Sequence, residues 1–539
     1  MAGEIAFAAV SLDLDDQPRL DAPVRPAPHE MFPEQAAREG NRVFTAQRFR
    51  FNNSAHAPFI PSNHRLNATT TRPDAPPPAQ RKADLQRSLR LCIQDGLVAM
   101  PLVTMSLPVN VFITALVTKA WVLPKPAIGL LSAMPFVANF LQIFAAPFFS
   151  RWRPPKTVTV LAASAHLVMW IVLAVLLGVI PRDQPAIVAR WLIGWFFVSS
   201  CFAAVAGVTW NSWIQEWVPA RVRGKYFGRR NRLLQISLVF SLLITGWVLA
   251  RWNYALAAFQ AVIAGAVALR VFSIYWQWTS PTRAHRPVDP VALSLGAQIR
   301  VLAGSSSLLW FIAFGAVWSF AANCFGPFYH VFMFERLKLS AFDVGLLSAA
   351  SALGGALSLP GWGRLLDRYG NRPVMAISLL VWQVVNLLWC LLTPDSRTMV
   401  YVIWALGGMT SMGAIASAGF VLGQFTILLR LIPLEAKSLA IGLNLAVTSL
   451  AAAVAPIVGG MVLDRALRHW ADPMAVYHAC FLVQPVIAMA GCLLLLKVRE
   501  PRASSLTMVF GAMRNIRTLS GVLGLDFLVN YVFYRSPKR

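Results

Sequence analysis

The sequence predicts an all-α integral membrane protein with twelve transmembrane helices in two parallel six-helix repeats. Three observations predict it. First, 57% of the 539 residues are hydrophobic and 13% are charged, with a mean hydropathy of +0.57. A soluble domain averages about 45–50% apolar and about 25% charged residues. Second, apolar runs of about twenty residues, each long enough to cross a bilayer, recur from residue 95 to residue 498. Third, Gly129-Leu130-Leu131-Ser132-Ala133 returns as Gly345-Leu346-Leu347-Ser348-Ala349. The register continues on both sides: Lys119–Leu123 lies over Glu335–Leu339, and Arg151–Lys156 over Asp367–Arg372. Two copies of one unit in the same sense are the signature of parallel transporter repeats about an axis along the membrane normal.

Residues 1–85 are rich in Pro, Ala, Asn and Arg, with a dense run at Pro73–Ala79 and no apolar periodicity. They read as a disordered cytoplasmic tail. Met1–Asp16 lacks the basic start and the apolar run of a secretory signal. An N-terminal bundle, 86–280, follows, with spans 95–118, 126–149, 157–180, 187–217, 231–251 and 254–279. The polar, proline-containing stretch 281–305 reads as a cytoplasmic linker. The second bundle, 306–500, has spans 306–333, 341–363, 374–393, 398–429, 437–463 and 475–498. Prolines within spans, among them Pro101, Pro108, Pro327, Pro360 and Pro456, mark bends whose freed carbonyls neighbouring groups must satisfy. In the tail 501–539, Leu506, Val509, Phe510, Met513 and Ile516 recur at helical spacing, with Arg514 and Arg517 on another face. This suits an amphipathic helix at the membrane interface or packed on the protein body.

Charge sets the topology. There are 48 Lys and Arg against 23 Asp and Glu, a net charge of +25. In a soluble protein that balance suggests nucleic acid, but here the basic residues collect at the ends of apolar runs. One set of loops holds Arg151, Arg153, Lys156, Arg221–Arg232, Arg283, Arg286, Arg364–Arg372, Arg430 and Lys437, while the opposite loops are lean. The positive-inside rule makes the basic side cytoplasmic. A cell (plasma or inner) membrane protein with both termini inside is expected.

The sequence excludes several chemistries. Its six cysteines have no metal or redox spacing, and no His/Cys/Asp cluster has the spacing of a metal site. No Gly-Lys-Ser/Thr phosphate loop supports ATP-driven transport. No enzyme, cofactor or metal is expected.

Gly363-Arg364-Leu365-Leu366-Asp367-Arg368-Tyr369-Gly370-Asn371-Arg372 lies between the second and third spans of the second half. With the two six-helix halves, it resembles the major facilitator superfamily, whose loop there reads Gly-x-x-x-Asp-Arg-x-Gly-Arg-Arg. The first half departs from the pattern, with Arg151 in place of Asp and Pro154 in place of Gly. Trp210–Asn231 is similar to the fourth-to-fifth-helix junction of poorly characterised bacterial permeases of that superfamily. The Gly-Pro-rich fifth-helix run of its drug exporters is absent from Leu233–Leu249, though Ala455–Gly460 is related to it.

The resemblance implies a secondary active transporter, or permease, moving a small polar solute by alternating access. Its partners are the solute, membrane lipid, and a coupling proton or sodium ion. A non-transporting sensor or assembly factor on the same scaffold, or a proton-coupled exporter, are the alternatives. The resemblance also implies that the first, fourth, seventh and tenth spans line a central cavity. Asn110, Trp318, Asn323 and Gln424 lie in lining spans, and Gln142 and Gln235 lie in others. Carboxamides and an aromatic face suit a neutral, sugar-like solute. The competing role is interhelical hydrogen bonding, at about 1 kcal/mol or less per contact. Arg151, Glu216, Arg221, Arg223, Gly363, Asp367, Arg368, Gly370, Arg372 and Glu435 form the expected gate and motif set. Asp367 is expected to reach Arg221, Arg223 or the start of the fifth helix across the halves, and Arg151 to reach Glu435, against the alternative of ordinary solvated charges. Asp95, His166 and Arg270 lie within spans or near their ends, and ionisable groups there are functional candidates by default.

Overall fold

The computed structural model describes residues 78–152, 154–180, 184–217, 220–280, 294–395, 398, 412–500, 503–514 and 522. These residues are helical almost throughout. The first half holds α1 (Pro78–Met105), α2 (Val111–Ala115, continued by a π turn, Leu116–Ala120), α3 (Lys125–Trp152), α4 (Pro155–Val179), α5 (Pro185–Trp217), α6 (Ala220–Arg251) and α7 (Leu256–Thr279). A short α8 (Leu295–Gly304) leads to α9 (Ser306–Cys324) and α10 (Gly326–Glu335). Then come α11 (Ala341–Tyr369), α12 (Asn371–Asn386, with a 3-10 turn to Leu391), α13 (Met412–Leu431), α14 (Lys437–His469), α15 (Pro473–Leu496) and α16 (Leu506–Met513).

Eleven helical stretches among the described residues are long and apolar enough to cross a membrane, and Val111–Ala120 is a shorter apolar helix. The expected first span is the end of α1 together with α2, so the twelve-span plan holds. Stripes such as Phe240, Ile244 and Trp247 on α6 are exposed at helical spacing, as a lipid-facing surface requires.

Two boundaries differ from the sequence reading. Helix α1 starts at Pro78, inside the stretch read as a disordered tail, because strong helix formers from Ala79 to Gln86 follow a proline suited to a first turn. Residues 1–77 lie outside the described residues. Helix α6 starts at Ala220 rather than 231. Hydropathy ends where the bilayer ends, whereas a helix rich in Arg and Lys continues into water. The expected tenth span, 398–429, is described as α13 from Met412 onward.

The repeat is visible in backbone detail. Val122 and Lys338 occupy equivalent positions, and both have left-handed φ angles, 36° and 54°. Around them the same turn closes twice. Trp121 N–H donates to Leu116 O at 2.9 Å and Leu123 N–H to Val117 O at 2.8 Å; Leu337 N–H donates to Phe332 O at 3.1 Å and Leu339 N–H to Met333 O at 3.0 Å.

The halves meet mainly through α3 against α14 and α6 against α11. The largest apolar cluster joins them near the starts of α3 and α11. It includes Phe112, Leu116, Ile128, Phe328, Phe332 and Leu463. This is the end with the lean loops, called the lean end below; the opposite end is the basic end.

Candidate functional site

The first and seventh spans are both broken, at matching places. After Met105 the chain leaves the helix at Ser106–Pro108. Proline offers no N–H and disfavours helix in the residue before it. Asn110 restarts the helix: its Oδ1 accepts Ile113 N–H at 2.8 Å, while its Nδ2 donates to Met105 O at 2.9 Å and Leu107 O at 2.7 Å. The register that lays Gly129 over Gly345 lays Asn110 over Gly326. There the seventh span breaks at Phe325 and restarts with Gly326-Pro327. The short pieces α2 and α10 touch each other across the halves and cover the lean end.

Close backbone approach seals that end. A Cβ on Gly246 of α6 would lie 2.5 Å from Ala341 O, and one on Gly460 of α14 would lie 2.7 Å from Lys125 O. These positions are equivalent once a two-residue gap in the repeat is allowed, which lays Pro219–Arg223 over Pro433–Lys437 and Gly246 over Gly460. Only glycine permits this approach. Polar contacts add to it. Glu335 pairs with Lys125 of the other half at 2.5 Å and accepts the Tyr477 hydroxyl at 3.2 Å. Lys119 Nζ donates to Phe334 O at 3.1 Å. In the loop before α7, burial raises the Tyr254 pKa, and its hydroxyl oxygen accepts Ala341 N–H at 3.0 Å.

A buried polar network ties α1 to α7. Asp95 Oδ1 accepts Ser273 Oγ–H at 2.6 Å and Gln277 Nε2–H at 2.9 Å, and Arg270 Nη1 donates to Ser273 Oγ at 2.8 Å. Asp95 and Arg270 were visible in the sequence as isolated charges, whereas Ser273 and Gln277 were missed. Their signal was the spacing 270, 273, 277, one face of a helix. His166 joins the break of the first span. Its Nε2 lies 3.1 Å from Ser106 Oγ and accepts Trp170 Nε1–H at 3.1 Å.

The solute candidates fall into separate surroundings. Asn110 is committed to the helix break, and Asn323 Nδ2 donates to Ser319 O at 2.8 Å. Trp318 packs inside the second half against Trp382 and Phe420. Gln424 is half-buried on α13. Gln142 on α3 and Gln235 on α6 each bury an amide oxygen with no hydrogen-bond partner among the described residues.

Of the gate set, Asp367 and Glu435 are exposed at the basic end, and neither has an ion-pair partner among the described residues. Arg368 lies over its neighbour Tyr369, with its guanidinium 5.3 Å from the ring centre. Gly363 is half-buried, and Gly370 has φ +91°, with Ala503 close by. The side chains of Arg151, Glu216, Arg221 and Arg223 lie outside the described ones. The described partners of the motif loop come from its own half. Glu500 accepts Asn371 N–H at 3.0 Å and Arg372 N–H at 2.7 Å and pairs with Arg430 at 3.1 Å, and Asn371 Oδ1 accepts Thr426 Oγ1–H at 2.6 Å. No group of His, Cys, Asp and Glu placed to hold a metal occurs among the described residues.

Residues 309–534 match the family model of the Major Facilitator Superfamily. A D-xylose–proton symporter is similar in structure, with a TM-score of 0.57 and 13% identity over 79% of this chain and 99% of that one. A nucleoside transporter gives 0.56 and 16% over 77% and 100%. A bacterial homolog of the human lysosomal transporter Spinster, inward-facing and unoccupied, gives 0.52 and 14% over 83% and 99%. No curated protein sequence matches the chain.

Proposed function

We propose that this chain, whose residues 309–534 match the family model of the Major Facilitator Superfamily, carries a small polar solute by alternating access. The paired helix breaks carry the reading. Short, interrupted spans at corresponding places in two halves mark the binding region of repeat transporters. Here the broken pieces α2 and α10 also form the closed lid of the lean end, so binding and gating share the same two hinges. The solute then enters or leaves at the basic end, which is cytoplasmic by the positive-inside rule. In the opposite form, Asp367 meets Arg221 or Arg223, and Arg151 meets Glu435.

A neutral, sugar-like solute fits best. The amide oxygens of Gln142 and Gln235, which have no partner among the described residues, need donors, and a hydroxyl-rich solute supplies them without burying charge. Because the similar structures include transporters of D-xylose and of nucleosides, D-xylose and uridine are the first probes.

The test starts from thermal stability of the purified full chain with each probe and a panel of polar solutes, since a ligand that binds the folded state raises it. A solute that stabilises the protein is then followed into proteoliposomes. Uptake is expected in the wild type. It should be absent when Lys125→Cys and Glu335→Cys are cross-linked, and restored on reduction. Transport that continues with the lean end cross-linked would overturn the alternating-access reading.

A further inference from the structure

At the basic end a cavity of about 330 Å³ opens between the first turn of α12, the last turn of α15 and the chain leading into α16. It is part of neither the lid nor the helix breaks. It is lined by the apolar Pro373, Ala376, Leu495 and Leu496 and by Arg372, Ser505 and Thr507.

The charges at the cavity do not balance. Glu500 also lines it, but this carboxylate is saturated. Its side chain is 3% exposed, and it accepts Asn371 N–H, Asn371 Nδ2–H and Arg372 N–H while pairing with Arg430. Helix α12 begins at these same amides, where the partial positive charge of a helix N-terminus favours a carboxylate. The guanidinium of Arg372 is half-buried in the cavity wall and makes no hydrogen bond or ion pair among the described residues. The remaining unmatched charge is therefore positive. The cavity is also lined by the Ser505 and Thr507 hydroxyls, which lie 3.0 Å apart, Ser505 Oγ in addition accepting Met508 N–H at 3.3 Å as the cap of α16.

The surroundings point to lipid. Two spans end here, so the cavity sits at the boundary between hydrocarbon and water. Helix α16 buries Val509 in the protein body and turns Leu506, Met508 and Phe510 outward, Phe510 being 62% exposed. Leu496 on α15, which lines the cavity together with Leu506, is also exposed. An apolar rim of this kind, at the ends of spanning helices, suits cover by acyl chains.

We propose that this cavity binds the headgroup of an anionic phospholipid. Its phosphate pairs with Arg372 and the Ser505 and Thr507 hydroxyls, and its chains run along Leu496 and Leu506. Guanidinium is the side chain suited to two-point binding of a phosphate. The site would fasten the C-terminal segment to the membrane surface on the side where anionic lipid collects.

The test uses the full-length chain in detergent, with bound lipid counted by native mass spectrometry. The probes are phosphatidylglycerol, phosphatidylcholine of the same acyl chains, and glycerol 3-phosphate. The wild type is expected to retain phosphatidylglycerol about fivefold better than phosphatidylcholine, as one interfacial arginine supplies. Arg372→Gln should remove that preference, whereas Arg514→Gln, an exposed arginine outside the cavity, should keep it. Glycerol 3-phosphate should not displace the lipid; equal displacement would make this a site for soluble anions and overturn the proposal. So would a wild type that does not distinguish the two lipids, or a preference that survives Arg372→Gln. If Arg372→Gln does not fold, Thr507→Val and Leu506→Gln serve instead, and unchanged retention in both counts against the site.

Discussion

Gly345 of α11 meets Gly246 of α6 across the two halves, and the Cβ that Gly345 lacks would fall 3.8 Å from the Gly246 Cα. Gly129 meets Gly460 in the same way, its missing Cβ 3.4 Å from the Gly460 Cα. The two contacts are copies of each other, and both belong to the closed lean end.

A bulky side chain at either contact should hold that end open. Gly246→Leu or Gly460→Leu overpacks a backbone contact, at about 1–3 kcal/mol, which shifts a two-state balance by about 5–150-fold. Spin labels at Val122 and Lys338, exposed on the two lean-end turns, report the opening. The distance between them should lengthen in both variants. An unchanged distance distribution would mean that the glycines serve packing alone.

These turns allow a second prediction. Valine is branched at Cβ and ill suited to the left-handed φ of 36° at Val122. Val122→Asn or Val122→Gly should raise the melting temperature, since relieving this strain is worth about 1–2 kcal/mol. A fall in melting temperature would show that Val122 contributes more by its contacts than it loses by its backbone.

The sequence carried much of this in plain view. The pentapeptide repeat made Gly129 and Gly345 equivalent and placed the left-handed turns in the same register, and a two-residue gap brings Gly246 over Gly460. The repeat could not tell which end was closed, because both halves carry it alike along their whole length. Asn110 looked like a solute ligand, since an asparagine inside an apolar run is costly in lipid. The same letter is what a broken helix needs as a cap, and only the folded geometry separates the two roles. Glu500 gave no signal, because its partners, the first amides of α12 with the Asn371 and Arg430 side chains, lie 70 or more residues away in the chain.

The capping role of Asn110 is open to measurement. Asn110→Ala removes one cap and two donors, and losing a helix cap costs about 0.5–2 kcal/mol. The melting temperature should fall by the same amount with and without a stabilising solute. A smaller solute-induced shift in the variant would return Asn110 to the binding site. Asn323→Ala provides the comparison.

The Lys125–Glu335 pair should show the cost of a stranded charge. Both side chains are partly buried, at 13% and 23% exposed. Glu335→Gln leaves Lys125 without its counter-charge, whereas Lys125→Gln with Glu335→Gln removes both. The single change should therefore loosen the lean end more than the double change, because breaking one partner of a buried pair costs more than replacing both. Equal effects on the distance between labels at 122 and 338 would make the pair a surface contact of no consequence.

The last prediction concerns the form opposite to this one. With the lean end sealed, Asp367 is exposed at the basic end. The repeat swaps charges there, Asp367 standing where the first half has Arg151 and Glu435 where it has Arg221. Such a swap is what two loops need if each reaches the other half when the basic end closes. Asp367→Asn should weaken that closed form and leave this one unchanged. Exposed pairs are worth only about 0–1 kcal/mol, so the expected shift is at most about fivefold toward the form open at the basic end. Cysteine accessibility from that side measures it, and high salt should reproduce the shift in the parent protein by screening the same pairs. Arg221→Asp combined with Asp367→Arg should restore the parent balance. Accessibility unchanged in Asp367→Asn, or a swap that restores nothing, would leave these residues as solvated charges that set topology alone.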